Sequence, residues 1–349
     1  MAVSQTQSQS LNMGDNYSAL MNRKINVGTR NSALAMIQAE IVHTALQRVY
    51  PELQFEIHGM TTTGDKDQVT ALSKIGAKAL WTSELEDELR EGKLDMIVHS
   101  LKDMPTTLPE NLKIGCILER EDPRDVLIMR MGSSYKSLSE LPDGAVVGTS
   151  SLRRCAQVKR YYPQLVIKNV RGNVGTRLNK LDAEDGEYSC LILAAAGIKR
   201  MGWGDRITSY FDSKTDKSHF YAVGQGAMAI EIKEGDDKIQ DLISILTDKE
   251  STLATTSERS LMRTLEGGCS VPIGVESTWI EKEKLMIKAI VISLDGTKSV
   301  EVEKLGQILD LNDAEEFGKM IAHDLIENGA GKILEEVKKS MNSNATLES

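Results

Sequence analysis

The chain has 349 residues, of which 40% are apolar, enough for two or three domains each with a core of its own. Acids outnumber bases by 51 to 42, for a net charge of −9, and aromatic rings make up only 4%. This balance argues against nucleic acid as a partner, which calls for a basic face or stacking rings, and no apolar run reaches the roughly 18 residues of a membrane-spanning helix, so no membrane partner is expected.

The first 23 residues are rich in Ser and Gln, lack the apolar stretch of a secretory signal and are expected to form a disordered tail. Short apolar runs then alternate with helical periodicity. Residues 24–27 predict a strand, 32–49 a helix with Leu34, Ile37, Ile41, Ala45 and Val49 along one side, and 55–60 a second strand. Ser83 and Glu86 read as a capping box opening a helix that Gly92 closes. Strands are expected at 94–98 and 114–118. The pattern restarts with strands at 126–129, 145–147, 166–170 and 191–194, and helices over 151–161 and 173–181. Such alternation implies a mostly parallel α/β sheet that binds ligands at its strand carboxyl ends. Beyond about residue 233 the character changes: helices over 236–246 and 253–265, alternating strands at 273–277, 285–294 and 300–305, and helices over 313–327 and 331–339 predict a smaller α+β domain.

Two strand-to-helix junctions look alike. Val27-Gly28-Thr29-Arg30-Asn31-Ser32 and Val147-Gly148-Thr149-Ser150-Ser151 each pass through Gly-Thr into a helix start. Two similar lobes face to face would bring both helix N-termini to one cleft, where free N–H groups suit an anion; the plainer reading is a tight turn and a cap.

Charge patterning sharpens the first reading. Residues 144–181 contain no acid, where the chain average would place about five or six, yet they hold Arg153, Arg154, Lys159, Arg160, Lys168, Arg171, Arg177 and Lys180. A solvated basic face is the alternative, but Arg153 and Arg154 fall in the first turn of a predicted helix, where the dipole disfavours cations. Arginines outnumber lysines, which favours bidentate recognition of carboxylate or phosphate.

Further along, His99-Ser100-Leu101-Lys102-Asp103 sits just past a predicted strand, so Lys102 and Asp103 lie side by side at a carboxyl end; His99 reads as a structural histidine. Glu266-Gly267-Gly268-Cys269-Ser270 puts a thiol on a Gly-rich turn, where a covalent adduct could be accommodated. Val170-Arg171-Gly172-Asn173 opens a helix, Tyr221-Ala222-Val223-Gly224-Gln225-Gly226 is a second Gly-rich turn, and the polar stretch from Thr61 to Lys66 reads as a mobile loop. The four cysteines (Cys116, Cys155, Cys190, Cys269) and five histidines are scattered, so neither a disulfide framework nor a metal site is expected, and no nucleotide-binding glycine pattern appears.

These segments in this order resemble the porphobilinogen deaminase (hydroxymethylbilane synthase) family over roughly residues 24–339. VGTRNSALA, TTTGDKD, LSKIGAKALWTSELE, DMIVHSLKDMPT, GTSSLRRCAQ, VRGNVGTRLNKLD, LAAAGIKRMGW, YAVGQGA and LEGGCSVP carry the likeness, which is closest to eukaryotic, fungal-type members.

The resemblance implies two lobes like those of periplasmic binding proteins plus a smaller α+β C-terminal domain: 24–120 with 220–245, then 121–219, then 246–341, with tails at 1–23 and 342–349. It implies an enzyme that joins four porphobilinogen molecules head to tail onto a covalent dipyrromethane cofactor and releases linear hydroxymethylbilane with water. Cys269 would hold the cofactor as a thioether, and Asp103 would bind pyrrole N–H groups and move protons. Arg153, Arg154, Arg171 and Arg177 would bind the acetate and propionate groups, with Lys102 beside them. Ser100, Thr149, Ser150, Ser151, Gly172, Gln225 and Gly226 would donate hydrogen bonds to the cofactor. Arg30, with a catalytic part as well, Ser32, Trp81 and Arg200 would meet substrate. Ser83 and Ala195 depart from the family's usual Lys and Thr or Ser. A cytoplasmic monomer is implied, and a catalytically silent two-lobed anion-binding protein of the same fold is the competing expectation.

Overall fold

Residues 24–30 are buried on both faces towards the carboxyl end, as a central strand requires. They form β1 (Lys24–Arg30) in a computed structural model that describes residues 20–62, 82–213, 219–265 and 271–346. α1 (Ala33–Val49) follows, its first turn capped by Ser32, whose Oγ accepts from the Ala35 N–H, and its buried Ala35, Gln38, Ala39, Val42 and Leu46 recur at helical spacing. The chain then forms β2 (Gln54–Met60), α2 (Ser83–Arg90), β3 (Met96–Ser100) and β4 (Leu112–Ile117). The expected capping box is absent. Thr82 occupies the cap position, the Ser83 hydroxyl turns to Glu84, and Glu86 shares the buried face of the helix with Leu85 and Leu89 rather than reaching back.

The second lobe holds β5 (Asp125–Met129), β6 (Val146–Gly148), α3 (Leu152–Tyr161), β7 (Val166–Lys168), α4 (Val174–Asp182), β8 (Cys190–Ala194), α5 (Ala195–Arg200) and β9 (Ser209–Tyr210). The chain then returns as β10 (Met228–Lys233) and α6 (Asp237–Ser244). The two sheets are topological twins, ordered β2-β1-β3-β10-β4 and β7-β6-β8-β5-β9. The sheets are mostly parallel, as expected, with one reversed strand in each. β10 runs antiparallel to β3 and β4, and β5 antiparallel to β8 and β9. Each of these strands arrives directly from the other lobe rather than through a crossover helix, so its direction is reversed.

The two look-alike junctions prove equivalent, at β1-to-α1 and β6-to-α3. Their glycines make room for packing. A Cβ at Gly28 would lie 2.4 Å from Leu94 Cδ1, and one at Gly148 2.4 Å from Leu191 Cδ2. Any larger residue would push a core leucine off the sheet.

The third unit comprises α7 (Lys249–Thr264), β11 (Ile273–Glu281), β12 (Lys284–Ile292), β13 (Ser299–Gln307), α8 (Leu311–Glu327) and α9 (Ala330–Thr346). Its antiparallel sheet, ordered β11-β12-β13, packs Ile287 and Val291 with Leu261, Phe317, Ile321 and Leu325.

All three units are fastened where the chain crosses between lobes. Arg120, on the outward crossing, donates to both Glu258 oxygens of α7 at 2.7 and 3.0 Å, and its Nε donates to the Gln225 carbonyl of the return crossing at 2.8 Å. Tyr221 lies under the guanidinium, 5.2 Å from its ring centroid, and burial pushes the phenol up to about 12. Gly226, at φ +88°, lets the crossings touch: a Cβ there would lie 2.2 Å from the Glu121 carbonyl oxygen. Among the described residues, no helix is long and apolar enough to cross a membrane.

Candidate active site

The carboxyl ends of β1 and β3 open into a small cavity lined by Arg30, Ser32, Gln38, Thr82, His99, Ser100 and Asp103. A second cavity shares Leu34 and Ser100 with it and adds Lys102 from this lobe, Arg154, Arg177 and Arg200 from the other, and Gly226 from the return crossing. The fold thus brings together most of the residues predicted from the sequence, at the strand ends where α/β sheets bind ligands.

On the first lobe, β3 runs into a single 3-10 turn over Leu101–Asp103 that turns Lys102 and Asp103 outward. Leu101 anchors the turn in the core, fully buried. Ser100 exchanges a hydrogen bond with Gln38 of α1 at 3.0 Å, which orients both beside the cavity. Neither Lys102 nor Asp103 has a hydrogen-bond partner among the described residues. Burial lowers the Lys102 ammonium to about 8 despite the nearby Asp103 carboxylate, and the guanidinium groups of Arg153 and Arg154 add to the lowering.

Across the cavity, Arg177 is lowered to about 10 by burial and by the neighbouring Arg154 and Arg171. Its Nε donates to the Gly172 carbonyl at 2.8 Å, and Asn173 caps α4 by accepting from the Thr176 N–H. Arg200 reaches the Gly226 carbonyl at 2.7 Å. The Arg171 guanidinium has no partner among the described residues. Clustered cations, partly desolvated and short of internal acceptors, fit a ligand carrying several carboxylates.

Arg153 and Arg154 are accounted for differently from the expectation that both face a ligand. Both are buried, and both pair with Asp125 at the start of β5: Arg153 Nη1 lies 2.7 Å from Oδ2 and Arg154 Nη2 lies 2.7 Å from Oδ1. Arg153 also donates to the Phe220 carbonyl and is absent from both cavity walls, whereas Arg154 donates to the Ile192 carbonyl at 2.9 Å and lines the second cavity. Burial opposes ionisation of Asp125, yet the two guanidinium groups hold its carboxyl far below the ordinary range. The acid that neutralises the basic first turn of α3 therefore comes from outside the acid-free window.

Three further predicted donors are engaged inside the protein. The Gln225 amide donates to Asp125 at 2.8 Å and to the Pro123 carbonyl at 2.7 Å. Ser150 Oγ bridges the Val170 carbonyl and N–H, and Thr149 Oγ1 accepts from the Ser151 N–H. Sequence reasoning missed Asp125 and Gln38; a single acid opening the buried run Val126-Leu127-Ile128 was the available signal for the first. His219, also missed, stacks on Phe211 at 4.4 Å and is pushed down to about 3 by burial. Cys269, Trp81 and the polar stretch from Thr63 onward lie outside the described residues, as does the N-terminal tail apart from residues 20–23.

With that geometry in place, comparison with known proteins is decisive. The family model described as "Porphobilinogen deaminase, dipyromethane cofactor binding domain" matches residues 25–241, and "Porphobilinogen deaminase, C-terminal domain" matches 252–327. The chain belongs to the porphobilinogen deaminase family. The porphobilinogen deaminase of Neurospora crassa is 50% identical, over 93% of this chain and 96% of that one. Those of Yarrowia lipolytica and Saccharomyces cerevisiae are 52% and 49% identical, each over 90% of this chain and over 93% and 97% of theirs. Among solved structures, the periplasmic aliphatic sulphonate binding protein of Escherichia coli is similar in outline, at 13% identity over 70% of each chain with a TM-score of 0.34.

Proposed function

We propose that the chain is itself a porphobilinogen deaminase, joining four porphobilinogen molecules head to tail onto a dipyrromethane group and releasing hydroxymethylbilane with water. The observation that carries this reading is that Asp103 and Lys102, adjacent on one turn and without hydrogen-bond partners among the described residues, line two adjoining cavities, the second of which also takes Arg154, Arg177 and Arg200. A silent anion-binding module would need cations alone, and nothing in the cavity favours it over the enzyme.

The cavity residues fit dipyrromethane, whose acetate and propionate groups require several cations at close quarters. When bound, it supplies the pyrrole carbon to which the first substrate is joined. Cys269 would hold it through a thioether. Lys102, Arg171, Arg177 and Arg154 bind carboxylates, and Asp103 accepts hydrogen bonds from pyrrole N–H groups and, once the C–N bond has broken and ammonia has left, takes the proton that the attacking ring carbon releases as the new C–C bond forms. A carboxylate fixed beside a carbon that becomes positive stabilises the transition state more than the ground state. Arg30, Ser32 and Arg200 orient incoming substrate at the mouth between the lobes. Arg153, Gln225 and Ser150 act by holding the frame that presents Arg154 and the start of α3.

We also infer a cytoplasmic monomer. Cys116, Cys155 and Cys190 are free thiols, as a reducing compartment permits.

The intact mass of the purified, denatured protein tests the reading. An excess equal to two deaminated porphobilinogen units on the peptide bearing Cys269, lost in Cys269→Ala, is expected. Asp103→Asn should keep the added mass while turnover with porphobilinogen falls by about three orders of magnitude or more. Normal turnover by Cys269→Ala would overturn the mechanism.

A further inference from the structure

Behind the wall of the first cavity lies a group of titratable side chains with no part in the steps above. His99, on β3, turns its Nε2 to Glu231 Oε2 on β10 at 2.9 Å, and both are buried, Glu231 completely. Glu86 on α2 packs over the same strands and is also buried, coupled electrostatically to both. Three oxygens here, Glu231 Oε1, Glu86 Oε1 and Thr82 Oγ1, are buried without a hydrogen-bond partner among the described residues. Two ionised carboxylates cannot share so dry a space without strong mutual repulsion, and one of them retains a proton more readily than a surface acid does.

The group is not sealed off. His99 and Thr82 form part of the cavity wall with Asp103 and Arg30. The charged groups that bear on Glu86 are Glu231 from β10, His99 from β3 and Arg90 from its own helix. Arg90 is an exposed side chain already paired with Asp87 at 2.6 Å, so its charge does little to relieve the buried pair.

We propose that Glu86, packed beside the buried His99–Glu231 contact, sets by its charge how well the adjoining cavity accepts its anionic substrate, Glu86 being the group that gains and loses a proton. It is a positioning residue, acting through the field at the Asp103 cavity rather than by touching substrate. The balance is simple: as pH rises, Glu86 releases one proton to solvent by way of the cavity, and one negative charge appears behind the site. Burial, with the Glu231 charge adding to it, places that release above the ordinary carboxyl range.

The inference rests on the proposed reaction for one of its two readouts only. The first readout is KM for porphobilinogen from about pH 5 to pH 7, below the range in which Lys102 loses its proton. The wild-type KM should climb roughly three- to ten-fold through the Glu86 transition, as expected for one charge near a dicarboxylate in a partly screened site. Glu86→Gln, a neutral isostere, should remove that climb. Glu231→Gln should instead move it to lower pH, because the charge that opposes Glu86 ionisation is gone. The second readout needs no activity. The wild-type Tm should fall with rising pH over the same interval and that fall should vanish in Glu86→Gln, since a carboxyl raised on folding stabilises while protonated. KM curves of both variants superimposable on the wild type would overturn the proposal, whatever their Tm. Loss of turnover by the wild type itself would strike the proposed function and leave the Tm comparison to decide this one.

Discussion

Arg153 Nη1 and Asp125 Oδ2 lie 2.7 Å apart, and with them the N-terminus of α3 is tied to the first strand after the crossing. The same carboxylate takes Arg154 on its other oxygen, together with the Gln225 amide from the return crossing. One buried acid thus joins a basic helix start to both connections between the lobes.

Asp125→Ala should therefore cost about 3–5 kcal/mol, because it strands two buried guanidinium groups. The urea midpoint reads this directly. The pH sign follows from the depressed carboxyl: its contribution is present above the ordinary Asp range and is lost as pH falls towards the folded value. The variant should lose part of the wild type's sensitivity to acid, and an unchanged acid limb would refute the assignment.

Arg153→Ala and Arg171→Ala should separate. Arg153 is committed to Asp125 and the Phe220 carbonyl, so its loss lowers stability first. The Arg171 guanidinium has no partner among the described residues, so its truncation should leave the Tm within a few degrees and raise KM roughly tenfold. Equal effects of the two on both quantities would show that the distinction drawn from their partners is wrong.

Lys102 should confer a loss of substrate affinity as pH rises through about 8, where burial has placed its ammonium. A lysine lowered on folding binds its proton less tightly in the native state, so its effect on stability runs the other way, with stability rising with pH between the folded and unfolded values. Lys102→Arg should keep carboxylate binding and abolish this step in KM; persistence of the step in the variant would assign it elsewhere.

Gly226→Ala should cost more than the roughly 1 kcal/mol of a positive φ alone, because the added carbon meets a backbone carbonyl at 2.2 Å. Gly132→Ala has a similar φ of +79° and open space around it, and serves as the control in the same denaturation series.

Much of this was legible in the sequence. The Gly-Thr junctions announced twin lobes because glycine at a crowded strand end and a polar residue before a helix leave a local mark. The place of Lys102 and Asp103 at a strand's carboxyl end was legible because the apolar run before them reads as a strand, though the segment alone fits a surface ion pair equally well. The direction of β10 was not legible, since a strand's apolar pattern is the same whichever way it runs. Nor was the fate of Arg153: no spacing rule links it to Asp125, 28 residues away. Ser83 illustrates a local rule overridden by packing. Its capping box was sound in isolation, but Leu85 and Leu89 drew Glu86 inward with them.

The strand order of the first sheet has a consequence for synthesis. β10 lies between β3 and β4, yet it is made more than a hundred residues after them. The second lobe has all five of its strands in one uninterrupted stretch. As the chain leaves the ribosome, the later lobe can close while the earlier one still has an open seam between β3 and the edge strand β4. The unpaired edges of β3 and β4 then wait, exposed, for a strand that the finished neighbour must deliver, and this interval is where a chaperone has most to shield.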